Sequence, residues 1–264
     1  MDNRGIFKEE YGPLSGLSTK KGDPIVIELL KDNNALLAHQ QYNHSYPHCW
    51  RHKSPVIFMS TPQWFISMNK SGLSDGAVNA VKVVNWEPSW GEERILSMLE
   101  DRPDWCISRQ RTWGVPIALY LNKKTGELHP DTVSIMQKVA DEIEKAGTDV
   151  WFEQKLESVK VGDEYEPVMD ILDVWFDSGV THYCVLNEQR GLSQPADLYL
   201  EGSDQHRGWF QSSLLTGMTI NNLPPFRNVV THGFVVDSEG KKMSKSLGNV
   251  VSPQSVWNQK GADI

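Results

Sequence analysis

The chain has 264 residues, 39% hydrophobic and 23% charged, an ordinary soluble composition with enough apolar mass for one large or two modest domains. A formal net charge of -8 and a pI near 5.5 exclude a general basic field for nucleic acid, so any RNA contact has to be local. No apolar run reaches the roughly 18 residues of a membrane helix, and Cys49, Cys106 and Cys184 show neither paired spacing nor a secretory leader, which predicts a reducing, cytoplasmic setting.

Gly12-Pro13-Leu14-Ser15-Gly16 is turn-rich, and Asp23 followed by Pro24 predicts a helix start, an acceptor at the cap and proline at the first helical position. Cys49 and His52 would suit half of a zinc site, but half is not enough and no metal site is assigned. Thr61 to Met68 alternates like a strand returning to a larger sheet. Pro116 to Leu121, turned at Asn122 to Gly126, predicts the first arm of a hairpin. Residues 130–148 read as a helix with Val133, Met136, Val139 and Ile143 on its apolar face.

Asp197 to Glu201 predicts a short buried strand, followed from Ser203 by a helix running to Gly217 or slightly beyond. Strand, glycine turn and helix place a ligand at the carboxyl edge of a parallel sheet. Asn228 to Asp237 is a β-branched strand interrupted by Gly233, pairing next to it. Ser252-Pro253 starts another helix, inside which the chain stops. No internal repeat or low-complexity segment is present.

The densest chemistry lies in Lys242-Met243-Ser244-Lys245-Ser246, bracketed by Gly240 and Gly248. Two lysines three apart on a glycine-flanked loop make a mobile cationic clamp for a polyphosphate such as ATP, where fixed positive charge stabilises a transferring phosphoryl group. A solvated surface loop is the bland alternative for the lysines, and a simple turn for Ser244 and Ser246. At the strand end, Glu201 offers a carboxylate to hydroxyls or an ammonium, while Gly202 lets backbone approach a nucleotide that a Cβ would crowd. Trp209 stands four residues after Gln205, hence on the same face of the predicted helix. Ten tryptophans can line a pocket as well as fill a core.

Taken together, the lysine loop, Glu201-Gly202-Ser203-Asp204-Gln205-His206-Arg207-Gly208-Trp209-Phe210, Asp173-Val174-Trp175-Phe176-Asp177-Ser178-Gly179 and Ser108-Arg109-Gln110-Arg111-Thr112-Trp113-Gly114 resemble the class I aminoacyl-tRNA synthetases, and among them the isoleucyl rather than the valyl, leucyl or methionyl enzymes. The lysine loop is similar to the second signature of that class, and the resemblance runs from about His44 to Ile264. It implies an α/β fold, the second half of a Rossmann-like catalytic domain with a parallel sheet and helices, plus the end of an editing insertion. Residues 1–60 would close that insertion, 61–251 would be the catalytic portion with a peripheral insertion near 122–168, and 252–264 would begin a helical region.

The resemblance further implies that Lys242 and above all Lys245 are catalytic, and that Glu201, Gly202, Asp204, Gln205, His232, Gly233, Ser244 and Ser246 meet ATP or the adenylate. Trp175 and Trp209 would wall an isoleucine side chain, with Trp113 nearby; for His232 a packed strand-end role competes. ATP with Mg2+, L-isoleucine and tRNA(Ile) would be the partners of a monomeric cytoplasmic parent, with no membrane and no zinc in this portion. The first class signature, His-x-Gly-His, and the threonine-rich editing core do not occur in these residues, so the expectation is a fragment of such a ligase, inactive alone. The alternatives are a valyl or leucyl counterpart, which shares fold and reaction, and a non-catalytic nucleotide-binding module.

Overall fold

In the computed structural model the chain divides into two units, Met1–Pro62 and Gln63–Ile264; residues 1–2, 4–49, 51–186 and 190–263 are described. The first unit carries a 3-10 helix, Glu9–Leu14, and helix α1 (Thr19–Asp32). α1 starts a turn before the predicted Asp23-Pro24 boundary. The amides of Lys21 and Gly22 already bond to the Ser18 carbonyl at 3.0 and 2.9 Å, and Gly22 is buried with no room for a Cβ, which would fall 2.9 Å from the Phe7 ring. That packing sets the first turn, and Pro24 is carried inside the helix at the loss of one backbone bond.

The second unit runs β1 (Phe65–Ile66), α2 (Leu73–Val81), β2 (Asn85–Glu87), α3 (Trp90–Leu99), β3 (Trp105–Cys106), β4 (Ser108–Arg109), β5 (Tyr120–Asn122), α4 (Thr132–Ala146), α5 (Asp149–Phe152), β6 (Tyr165–Pro167) and β7 (Ile171–Leu172). It continues through α6 (Val174–Gly179), α7 (Thr181–Cys184), β8 (Tyr199–Gly202), a 3-10 turn at Ser203–Arg207, α8 (Trp209–Asn221), β9 (Asn228–His232) and α9 (Pro253–Lys260). Three strands make a parallel sheet in the order β2-β9-β8. β8, α8 and β9 form a β-α-β unit, the connection that parallel neighbours require. β1 stays outside this sheet, contrary to the expectation for Thr61 to Met68; it pairs antiparallel with β3 over two residues only.

The main core packs on this sheet, with Met68, Ala77, Ile95, Leu99, Phe210, Leu214, Phe226 and Val229 fully buried. α8 is buried along Phe210 to Gly217 without interruption, and Thr216 turns its hydroxyl back onto the helix backbone, Oγ1 donating to the Ser212 carbonyl at 3.0 Å. α6 crosses α8 closely because Gly179 has no side chain; a Cβ there would lie 3.0 Å from the Ser212 backbone.

A satellite core of Tyr120, Ile135, Val139 and Trp151 organises the peripheral stretch. The hairpin is present there: Asn122 Oδ1 accepts the amides of Lys124 and Thr125 at 2.9 and 3.2 Å, and Gly126 takes φ 72°. α4 faces inward through Ile135 and Val139 rather than through the predicted Val133, which is 83% exposed. α9 has Ser252 at its cap and Pro253 at its first position, as predicted, and closes at Lys260 before Gly261, so Gly261 to Asp263 lie beyond the helix.

Candidate active site

β8 and β9 run parallel with Glu201 beside Thr231 and Gly202 beside His232, so both strands deliver their candidate residues at the same carboxyl edge. Glu201 and Asp204 are exposed there. Gly202 is buried with extended geometry, and a Cβ would come 2.8 Å from Asp204 Oδ1 and 3.7 Å from the His232 ring. His232 and Gly233 are exposed; His232 Nδ1 donates to the Gly233 carbonyl at 2.7 Å, and a Cβ on Gly233 would meet nothing. An open backbone face of this kind suits a flat ligand.

The predicted continuous helix from Ser203 is broken. Ser203–Arg207 is a 3-10 turn, and Gly208, at φ -124° and ψ -116°, redirects the chain before α8. Gln205 and Trp209 therefore do not share a helix face. Instead Gln205 Oε1 accepts the Trp209 amide at 2.9 Å and caps α8. Glycine is required at 208 because the Trp175 indole lies on it, within 2.9 Å of where a Cβ would stand. Trp209 stacks on Tyr199 with centroids 4.0 Å apart and planes 8° apart, and its Nε1 donates to the Ser178 carbonyl at 3.0 Å. Trp175 and Trp209 thus meet at one α6–α8 junction, Trp175 43% exposed and Trp209 half-buried.

Trp113 is not brought to them. It stands 93% exposed at a separate cavity of about 570 Å³ that it lines with Arg109, Arg111, Asp173 and Asp177. Asp173 is the hub that the sequence did not single out. Buried to 5% exposure, it accepts from Arg109 Nη2 at 2.8 Å, from Trp105 Nε1 at 3.4 Å and from the Trp175 amide at 3.3 Å, tying β3, β4 and the first turn of α6 together. An aspartate directly before an aromatic helix start was the available sign. Burial and the nearby Asp173 charge push Asp177 up to about 6. A second cavity, of about 180 Å³, is lined by Arg102, Trp105, Asp173, Trp175, Arg207 and Gly208, among others.

The lysine loop leaves the end of β9 as a tight hairpin. The Asp237 amide donates to the Lys241 carbonyl at 2.9 Å and the Met243 amide to Val235 at 3.1 Å, with Gly240 at φ 76° making the turn. The predicted strand to Asp237 therefore stops at His232, and Gly233 onward joins the loop. Lys242 Nζ sits 3.5 Å above the Phe234 ring centroid, a cation–π contact. Lys245 is exposed and carries no hydrogen bond or ion pair among the described residues, leaving its ammonium available to a ligand. Ser244 Oγ lies 3.2 Å from Ser246 Oγ and accepts the Leu247 amide at 3.3 Å, so both serines take part in the turn itself. In the first unit, Cys49 Sγ and His52 Nδ1 lie 3.5 Å apart, and no group of three or more His, Cys, Asp or Glu among the described residues could hold a metal ion.

A parallel β-α-β unit with a Glu-Gly turn at its carboxyl edge and a lysine hairpin on the neighbouring strand defines a class, and the chain belongs to it: residues 11–264 match the family of class I tRNA synthetases (I, L, M and V). Curated relatives that it matches include isoleucine–tRNA ligases. Those of Alcanivorax borkumensis and a Marinomonas species are each 57% identical, over 268 and 266 residues, covering 100% of this chain and 28% of theirs. That of Stenotrophomonas maltophilia is 56% identical over 272 residues, 29% of its length. The chain thus spans a little over a quarter of these relatives. Among solved structures, the ternary complex of the Agrobacterium radiobacter LeuRS with tRNA and LeuAMS matches 61% of this chain and 23% of that one at 26% identity, with a TM-score of 0.43.

Proposed function

We propose that this chain supplies the second half of the catalytic domain of an isoleucine–tRNA ligase, which joins L-isoleucine to ATP as the adenylate and passes it to tRNA(Ile). The carrying observation is the β8–β9 register, which sets Glu201, Gly202, His232 and Gly233 side by side at one sheet edge from which the lysine hairpin springs. As the isoleucine carboxylate attacks the α-phosphate, pyrophosphate departs with its charge, and Lys245, with Lys242 once lifted from Phe234, neutralises it; Mg2+ enters with ATP as part of the reactant. Gly202 and Gly233 let the adenosine lie on bare backbone, while Glu201 and Asp204 offer acceptors to its hydroxyls or to the isoleucine ammonium. Gln205 acts chiefly by capping α8. Trp175 and Trp209 form the apolar wall for the branched side chain. Residues 1–60 belong in this reading to an editing insertion, and the parent is a cytoplasmic monomer. No helix among the described residues is long and apolar enough to cross a membrane.

The test is a chimera in which this chain replaces the matching 266-residue segment of the Marinomonas ligase, assayed by isoleucine-dependent exchange between pyrophosphate and ATP. Exchange supported by isoleucine and not by leucine or methionine is expected; a folded chimera without it would overturn the reading.

A further inference from the structure

Two residues outside the proposed reactant contacts close the lysine hairpin at its base. Asp237 Oδ1 accepts the backbone amides of Glu239 and Lys241, each at 2.9 Å, and its Oδ2 accepts Asn249 Nδ2 at 2.7 Å. The same Asn249 amide nitrogen lies 3.3 Å from the Lys242 carbonyl, and Asn249 Oδ1 accepts the Ser244 amide at 2.9 Å. These bonds circle the loop: Asp237 before it, Asn249 after it, and between them the backbone at both Lys242 and Ser244. Residues 245–248 are all exposed, and the far side is held within itself, by the Leu247 and Gly248 amides on the Ser244 carbonyl at 3.2 Å each, so its attachment to the hairpin base runs through Ser244 and Asn249.

The pair is chemically specific. Asn249 must donate toward Asp237 and accept from Ser244 at once, which a side-chain amide can do and a carboxylate, an alkyl group or an ammonium cannot. Hydrogen bonds to an ionised acceptor are the strong kind, and the Asn249 amide with the Lys241 and Glu239 amides holds Asp237 below the usual carboxylate range, as expected of an ionised acceptor. An exposed loop left open at its base would give its lysines many orientations, and charge stabilisation works only when it is preorganised.

We infer that Asp237 and Asn249 are positioning residues that lock Lys242 to Gly248 into one rigid body, so that both lysines reach the leaving pyrophosphate together. This rests on the reading of the loop as a polyphosphate clamp. In the chimera, Asn249→Ala and Asp237→Asn should each lower kcat for exchange about ten- to a hundredfold, with the isoleucine KM within about twofold and the thermal midpoint within about two degrees, the size expected of a polar change on a half-exposed loop away from the core. The double variant Asp237→Asn/Asn249→Asp restores the bond between the two side chains with donor and acceptor reversed but gives up the Asn249 contact to the Lys242 carbonyl, and should recover part of the rate. In the 264-residue chain itself, Asn249→Ala should speed hydrogen exchange at the Ser244 amide. If Lys245→Ala leaves exchange intact, the polyphosphate reading falls. If Lys245→Ala lowers it while Asn249→Ala does not, or if the double variant recovers nothing, or if Ser244 protection is unchanged, the lock alone is overturned.

Discussion

Lys245 and Asp177 show how differently two exposed-looking charges are used. Lys245 has no hydrogen-bond or ion-pair partner among the described residues, and removing it should cost little stability but about two to three orders of magnitude in activation rate in the chimera, with the isoleucine KM nearly unchanged, as for a contact made only in the transition state. Pyrophosphate exchange measured for Lys245→Ala checks this. Asp177 is the reverse case. Its folded-state value of about 6 lies above the ordinary 3.8, so the folded chain holds a proton that the unfolded chain releases earlier. The stability this represents is fully present below 3.8 and is lost as pH rises through 6. Asp177→Asn should therefore raise the thermal midpoint at pH 7.5 and leave it unchanged near pH 3.5. The same gain at both would mean that repacking and not ionisation is responsible. Lysines on a glycine-flanked loop are visible in sequence; the raised Asp177 is not, because it arises first from burial that only the folded chain imposes, with the nearby Asp173 charge adding to it.

At the scale of elements, the β8, α8 and β9 unit was legible because its apolar runs and glycines are local signals. The breaks within it were not. Gly208 ends one helix and begins another because Trp175, more than thirty residues earlier, needs the space, and no window of sequence contains both. For the same reason Gln205 caps Trp209 where simple helical spacing would align the two. β1 missed the parallel sheet because two residues pair with β3, a partner set by tertiary packing rather than by alternation. The junction also selects the better test of the proposed amino acid wall. Trp209 is stacked on Tyr199 and bonded to Ser178, so truncating it should cost about 3 to 5 kcal/mol of stability and confuse any kinetic effect. Trp175, 43% exposed, can be cut with less damage. In the chimera, Trp175→Ala should raise the isoleucine KM by about tenfold or more while the ATP KM moves less than about twofold, since an apolar wall serves the side chain and not the nucleotide. Equal changes in both constants would remove Trp175 from the pocket.

Over the whole molecule, the second unit buries two imidazoles in its core, and they make its stability sensitive to acid. His182 is 1% and His206 0% exposed. His182 Nε2 lies 3.1 Å from Thr216 Oγ1, while His206 Nδ1 donates to the Ser203 carbonyl at 3.1 Å and its Nε2 faces the Gly91 backbone near the Trp86 and Trp90 rings, without a partner. Burial lowers both below 6.5, and for His206 the Arg94 charge adds to this against the Ser203 bond. About a unit or more above 6.5 neither state holds a proton on these rings to any extent, and the groups add little to the pH dependence. As pH falls below 6.5 the unfolded chain takes up protons that the folded core refuses, so stability declines until the lower folded values are reached. The thermal midpoint should accordingly be flat from pH 8 to 7 and fall between pH 6.5 and 5, by roughly 2 to 4 °C for each kcal/mol lost. Asp177 works against this fall, since its proton uptake near 6 favours the folded state; in the Asp177→Asn background the decline should be steeper. His206→Phe keeps the ring among the tryptophans while removing the titration, and should flatten part of the slope even if the lost Ser203 bond lowers the midpoint at every pH. A slope that His206→Phe leaves unchanged would show that His206 is not responsible for it and that the acid sensitivity arises elsewhere in the molecule.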